Sequence, residues 1–168
     1  MQINEICVLL KKELLNNNYE YGFCLNGVKY KPDMSNGFDN DFFNRLSTDY
    51  RIQNPSDTMK EKIGTCNDIV VLMKSILDEN DIPSKIWVLR NLQKNKYHTV
   101  LTFSAEGKTI YLELTPQSKK PWYGKEIIYD SDQDFLSEYK DNEYKVYDVT
   151  SLTLIGENID ELLSELIH

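Results

Sequence analysis

Cys66 lies where a cysteine can act as a nucleophile. The apolar residues after it recur at helical spacing and predict a helix with one buried face. They are Ile69, Leu72, Met73, Ile76 and Leu77. Thr65 fits the N-cap of this helix and Asp68 fits a capping box, so Cys66 would occupy the first turn. Free backbone N–H groups and the helix dipole favour a thiolate there. The position also suits a small buried residue, and the helix start alone leaves both roles open.

His98 and Glu113 are the candidate partners of this cysteine. A hairpin with its turn centred between Ala105 and Glu106 would set His98 directly opposite Glu113, with Cβ atoms about 4.5–5.5 Å apart. Glu113 could then accept the imidazole N–H, fix its tautomer and stabilise the imidazolium, leaving the second ring nitrogen for Cys66. Nucleophile, base and orienting acid would have one residue each. A structural histidine and a solvent-exposed glutamate are the alternatives.

Acyl transfer also requires hydrogen-bond donors for the oxyanion. The backbone N–H of Cys66 is the natural first donor. Gln53, just before the turn into the cysteine helix, is the candidate second donor, and an exposed polar residue is its alternative. Trp87, Trp122 and Tyr123 are candidates to line a substrate groove. For these three residues, ordinary packing is the alternative interpretation.

Four segments together resemble the transglutaminase-like superfamily, a branch of the papain-like cysteine fold. They are Gly64-Thr65-Cys66 opening a helix, Ile82-Pro83-Ser84 before a strand, His98 near the start of a strand, and Tyr111-Leu112-Glu113. The resemblance covers residues 50 to 116, and the order Cys, His, acid is its most specific part. The segments around Gln53 and from Tyr129 to Leu136 also look like bacterial proteins of this group.

The resemblance implies roles for three residues. By it, Cys66 corresponds to the nucleophile, His98 to the general base and Glu113 to the acidic third member. The sequence departs from the family at Asn67, where an aromatic residue is common, and at Glu113, where Asp is commoner. Both departures leave the chemistry possible and weaken any transfer of substrate specificity.

The elements around these residues predict an α+β fold. N-terminal helices and a central cysteine-bearing helix would pack on an antiparallel β-sheet, in one domain spanning residues 1–168. Residues 19–50 show little periodicity and predict loops with short elements. The predicted helices cover residues 3–16, a short stretch from Pro55, the segment after Thr65, residues 134–140 and a last helix capped by Asn158. The predicted strands cover residues 85–89, 97–103, 109–114, 125–129 and 144–149.

The net charge and the cysteine content limit which partners, location and cofactors we expect for this protein. The net charge is -8, with 27 acidic and 19 basic residues, which argues against nucleic acid or an anionic membrane. The apolar run from Ile6 to Leu10 has an acidic residue before it and two lysines after it, so it does not fit a secretory signal, and we expect a cytoplasmic location. Three widely spaced cysteines predict reduced thiols. Their spacing predicts no zinc site, and we expect no metal or cofactor.

These patterns predict a thiol-dependent acyl-transfer enzyme. The favoured interpretation is a cysteine peptidase or amide hydrolase acting on a peptide or glutamine-type amide through Cys66, His98 and Glu113, with a peptide or protein as substrate. A non-catalytic peptide- or protein-binding module on the same fold is the alternative. Hydrolysis, deamidation and crosslinking share one acyl-enzyme step, and the sequence leaves the choice open, as it does the oligomeric state. The expected cytoplasmic location favours hydrolysis slightly.

Overall fold

The computed structural model describes residues 1–35, 37, 39–116, 118–140 and 143–167, with the backbone alone at position 140. The helices are α1 (Ile3–Leu14), α2 (Asn40–Thr48), α3 (Pro55–Glu61), α4 (Cys66–Glu79), α5 (Asp132–Lys140) and α6 (Ile159–Ile167). The short strands are β1 (Glu20–Tyr21), β2 (Phe23–Leu25), β3 (Val28–Tyr30) and β4 (Ile63–Gly64). The strands of the main sheet are β5 (Ser84–Asn91), β6 (Lys96–Ala105), β7 (Lys108–Tyr111), β8 (Ile127–Tyr129) and β9 (Tyr144–Asp148).

The main sheet is antiparallel throughout, with strand order β8-β7-β6-β5-β9. On one face, α4 packs through residues such as Ile69 and Leu72 against Val88 and Leu101. On the opposite face, Phe135 of α5 packs in a second apolar cluster. Successive side chains of a strand point to opposite faces, which explains why one sheet supports two separate clusters. The predicted α+β class, with the cysteine helix on an antiparallel sheet, is confirmed.

The register of the β6–β7 hairpin differs from the sequence prediction. Ala105 pairs with Lys108, so the turn residues are Glu106 and Gly107. Both have positive φ, 52° and 74°, as a two-residue type I′ turn requires. The predicted turn was centred one residue too early, and the direct pairing of positions 98 and 113 was therefore wrong. Because pairing shifts by two positions when the turn centre moves by one, the side chains stay on the predicted face.

The segment before the cysteine helix is held by parallel pairing. β1 pairs with β4, with Tyr21 opposite Gly64. The Gly22 N–H also donates to the Gly64 carbonyl at 3.2 Å.

Residues 19–50 were predicted as loops with short elements. The longest element that the prediction missed there is α2. Its N-cap is Asp39, whose carboxylate accepts from the Phe42 N–H at 3.0 Å.

Most other helix boundaries agree with the prediction to within a few residues. The helix of residues 3–16 ends at Leu14, and α6 begins after Asn158, whose side chain accepts from the Glu161 N–H at 3.1 Å. In the part of the chain that the structure describes, no helix has the length and apolar character needed to cross a membrane.

Candidate active site

Cys66 is the first residue of α4, as predicted. Thr65 caps the helix, with its hydroxyl accepting from the Asn67 N–H at 3.2 Å. Asp68 completes the capping box by accepting from the Thr65 N–H at 2.8 Å. The Cys66 side chain is half-buried. Its backbone N–H belongs to the first helical turn, where amide hydrogens have no intrahelical acceptor. The sulfur therefore sits beside the positive end of the helix dipole.

Asp68 ties this helix start to the chain that precedes α3. Its Oδ1 accepts from the Tyr50 hydroxyl and from the Gln53 backbone N–H, both at 2.8 Å. The carboxylate is 1% exposed, and burial raises its pKa from 3.8 to about 6 against the opposing effect of its hydrogen bonds. The four donors on these two oxygens fix the axis of α4, and with it the position of Cys66.

Glu113 and His98 form a direct contact in spite of the changed register. His98 Nε2 is hydrogen-bonded to Glu113 Oε1. The β6–β7 pairing ends at Thr102 and Tyr111, so the contact lies beyond the paired part of the hairpin and depends on the reach of two long side chains. Glu113 is 3% exposed and also accepts from Lys120 Nζ at 3.3 Å and from the Tyr111 hydroxyl at 3.2 Å. The carboxylate therefore has three partners on one oxygen.

The charges of this pair are strongly coupled. Burial raises the pKa of Glu113, but the hydrogen bond and charge of His98, with Lys120, outweigh burial and lower that pKa from 4.5 to about 2. Burial lowers the pKa of His98, but the neighbouring side chains of Cys66 and Glu113 outweigh it and raise that pKa from 6.5 to about 9. Both directions favour an imidazolium beside a carboxylate.

Cys66 and His98 line the same cavity, and the side chain of Cys66 lies close enough to raise the pKa of the imidazole. Since Nε2 is used by Glu113, Nδ1 is the ring nitrogen left for the sulfur. The structure thus brings Cys66, His98 and Glu113 together, with His98 between the other two. Such an arrangement can hold a thiolate–imidazolium pair, with the imidazole oriented by a carboxylate.

Three cavities meet around these residues. One of about 720 Å³ contains Cys66 and His98 in its lining, together with Tyr21, Phe43 and Lys120. A second of about 340 Å³ lies on another side of Cys66. A third of about 700 Å³ shares His98 and Lys120 with the first and is rich in aromatic residues. The sulfur is therefore reachable from solvent, and the imidazole lies between two cavities.

The other predicted residues occupy different positions. The Gln53 amide nitrogen donates to the Thr58 hydroxyl at 2.8 Å and to the Ile63 carbonyl at 3.4 Å, so both of its hydrogens are engaged. Trp87 is 6% exposed, packs in the cluster with Phe135 and lines none of the three cavities.

Trp122 and Tyr123 lie closer to the proposed reaction centre. Trp122 lines the aromatic cavity, and its indole N–H donates to the Tyr111 hydroxyl at 3.4 Å. Tyr123 forms a backbone bridge with Glu113 and is half-buried. The loop that carries both residues thus contacts Glu113 and its neighbour Tyr111.

Sequence reasoning missed Lys120 and Tyr97. Lys120 lies in a loop with no periodicity, where only its nearness in sequence to Pro121 and Trp122 marks it. Tyr97 lines both cavities next to Cys66, and its hydroxyl donates to Asp160 of α6. That contact spans 63 positions of sequence, and no local signal could have indicated it. Across the described residues, no group of three or more histidine, cysteine, aspartate or glutamate side chains could hold a metal ion.

Comparison with known proteins identifies the family. Residues 11–133 match the family model described as a transglutaminase-like domain. The match spans well over half of the 168 residues, and the chain therefore belongs to the transglutaminase-like family. The resemblance noted in the sequence is thereby confirmed. A search of curated proteins gives no match.

Solved structures of Legionella pneumophila LapG are similar to this chain. One is 18% identical with a TM-score of 0.49, over 96% of this chain and 75% of LapG. The calcium-bound form is 16% identical with a TM-score of 0.45, over 98% of this chain and 80% of that one. The EGTA-treated form is 16% identical with a TM-score of 0.44, over 97% of this chain and 80% of that one.

Proposed function

We propose that this protein is a thiol-dependent acyl-transfer enzyme, a cysteine peptidase or amide hydrolase that acts on a peptide or glutamine-type amide. The observation that carries the proposal is that Cys66 and His98 line one cavity while His98 is hydrogen-bonded to the buried Glu113. Membership of the transglutaminase-like family supports it. The cavity of about 720 Å³ beside the sulfur supplies room for a peptide segment.

The reaction begins with the Cys66 thiolate attacking the carbonyl carbon of the amide. The carbonyl π pair moves to oxygen, and the backbone N–H of Cys66 hydrogen-bonds the resulting oxyanion. When that pair returns, the C–N bond breaks and the leaving nitrogen takes a proton from the His98 imidazolium. A thioester on Cys66 and a free amine or ammonia result.

Neutral His98 then serves as the base for the second step. It takes a proton from water as the oxygen attacks the thioester, and the sulfur leaves as thiolate. The ring keeps its orientation throughout because Glu113 holds Nε2 while Nδ1 exchanges the proton. The His98 side chain is 25% exposed, so water can reach it for this step.

A peptide library incubated with a primary amine such as cadaverine tests the proposal. Mass spectrometry separates chain cleavage, conversion of glutamine to glutamate and amine incorporation. We expect cleavage or deamidation by the wild type and none by Cys66→Ala. The matched control Cys24→Ala alters another half-buried cysteine and should retain the activity. Peptide retention without any turnover would refute the proposal and favour a binding module.

A further inference from the structure

One role in this proposed chemistry has no residue yet, namely the second donor to the oxyanion. The Gln53 amide is engaged by Thr58 and Ile63. The Tyr97 hydroxyl lines the cavities at the sulfur but donates to Asp160. A donor that serves the oxyanion needs a free hydrogen before substrate binds and a position fixed relative to the nucleophile.

Tyr21 meets the positional requirement. It pairs with Gly64 between β1 and β4, and Gly64 lies two residues before Cys66. The N–H of the next residue, Gly22, donates to the Gly64 carbonyl at 3.2 Å and holds the same two backbone segments together. Its ring also packs against Phe42, with ring centroids 6.2 Å apart. Strand pairing and ring packing together fix the phenol relative to the start of α4.

Tyr21 shares its cavities with the sulfur. Tyr21 lines both cavities that flank Cys66, the one of about 720 Å³ and the one of about 340 Å³. Burial, with the negative charges of Cys66 and Asp68, raises the pKa of its hydroxyl far above the ordinary range, so the phenol keeps its proton. Within the described chain, no hydrogen-bond partner is found for this hydroxyl. Its O–H is therefore available.

We propose that the Tyr21 hydroxyl is the second oxyanion donor, a catalytic residue that acts together with the backbone N–H of Cys66. When the thiolate attacks, the carbonyl π pair moves to oxygen and the Tyr21 O–H donates a hydrogen bond to it. The proton stays on the phenol. When the pair returns to carbon and the leaving nitrogen departs, that hydrogen bond weakens again. This role rests on the acyl-transfer function proposed above.

Two reactions of the same sulfur separate this role from a structural one. Acylation by 4-nitrophenyl acetate passes through a tetrahedral oxyanion, whereas alkylation by iodoacetamide is a displacement at carbon that forms none. Tyr21→Phe removes the hydroxyl and keeps the ring on Phe42. We expect acylation of Tyr21→Phe to fall by about 10²-fold, as for loss of an oxyanion donor elsewhere, with the alkylation rate unchanged. The control Tyr30→Phe removes a hydroxyl from a tyrosine that stacks on Phe23 and should leave both rates unchanged.

The outcomes are distinct. Acylation by Tyr21→Phe at the wild-type rate would overturn the donor role, and so would an equal fall in both reactions, which indicates an effect on the thiolate or the fold. Wild-type protein that alkylates at Cys66 but never acylates would refute the proposed function itself. Loss of both reactions in Cys66→Ala establishes that each rate reports on this sulfur.

Discussion

Replacing Glu113 by glutamine tests the charge coupling at the proposed reaction centre. The pKa of His98 is about 9 against an ordinary 6.5, and two neighbours, Cys66 and Glu113, raise it. Glu113→Gln removes one of them and keeps the shape of the side chain. We therefore expect the pKa of His98 to fall below about 9 while staying above the value reached when Cys66 is also replaced by alanine.

Histidine ring NMR measures this directly. The sequence has one other histidine, His168, so the titration is assigned with a His98→Gln variant. The exposed Glu157 provides the control, and Glu157→Gln should leave the His98 titration unchanged. A wild-type His98 that titrates near 6.5, or one that titrates identically in Glu113→Gln, would refute the coupling.

The same substitution makes a prediction about stability. The pKa of Glu113 lies at about 2 against an ordinary 4.5, which corresponds to roughly 3 kcal/mol favouring the charged form in the folded state. An acid whose pKa falls on folding stabilises the protein above 4.5 and loses that contribution as the pH falls towards about 2. A histidine whose pKa rises stabilises it fully below 6.5 and loses that contribution as the pH rises through about 9.

Both contributions are therefore complete only between pH 4.5 and 6.5. We expect urea unfolding to show a stability difference between wild type and Glu113→Gln of about 3 kcal/mol near pH 6. The difference should shrink as the pH rises from 6.5 through about 9, because the imidazole becomes neutral in the folded protein over that range. A difference independent of pH would contradict an ion pair at this position.

Two further predictions concern the cysteine and its helix. Cys66 should react with iodoacetamide faster than Cys24 at pH 6, because it lies at the N-terminus of α4 and shares a cavity with His98; equal rates, measured by peptide mapping, would contradict the nucleophile role. Asp68→Asn should lower the free energy of unfolding by about 2–4 kcal/mol, since an amide has one acceptor oxygen for four donors. Urea denaturation measures this against Asp78→Asn, which alters an exposed ion pair on the same helix and should change it by less than about 1 kcal/mol.

Local patterns were enough to predict the start of the cysteine helix. The side chains of Thr65 and Asp68 accept hydrogen bonds from backbone N–H groups of the same helix start. A capping box therefore depends on four consecutive residues and can be predicted from the sequence. The α+β class followed for the same reason, since helical and strand periodicities are local. The face shared by His98 and Glu113 was also predictable, because an error of two in pairing does not change which side of the sheet a residue occupies.

The register, by contrast, was decided by backbone conformation in the turn. Glu106 and Gly107 both adopt positive φ, and a glycine at the second position makes that conformation accessible. The sequence permitted turns at neighbouring positions, and the conformation of Glu106 and Gly107 selected one. The contact between His98 and Glu113 then depended on the reach of the two side chains.

Only the tertiary structure decided which distant segments meet Cys66. Periodicity tells which face of a helix or strand is buried, but it does not say what covers that face. Residues 19–50 lacked a periodic pattern, yet they supply Tyr21 to the cavities beside the sulfur. Gln53 and Trp87 had suitable chemistry, but hydrogen bonds to Thr58 and Thr102 direct their polar groups elsewhere. Cys66, His98 and Glu113 could thus be proposed from the sequence, while the residues that surround them depended on contacts between segments far apart in the chain.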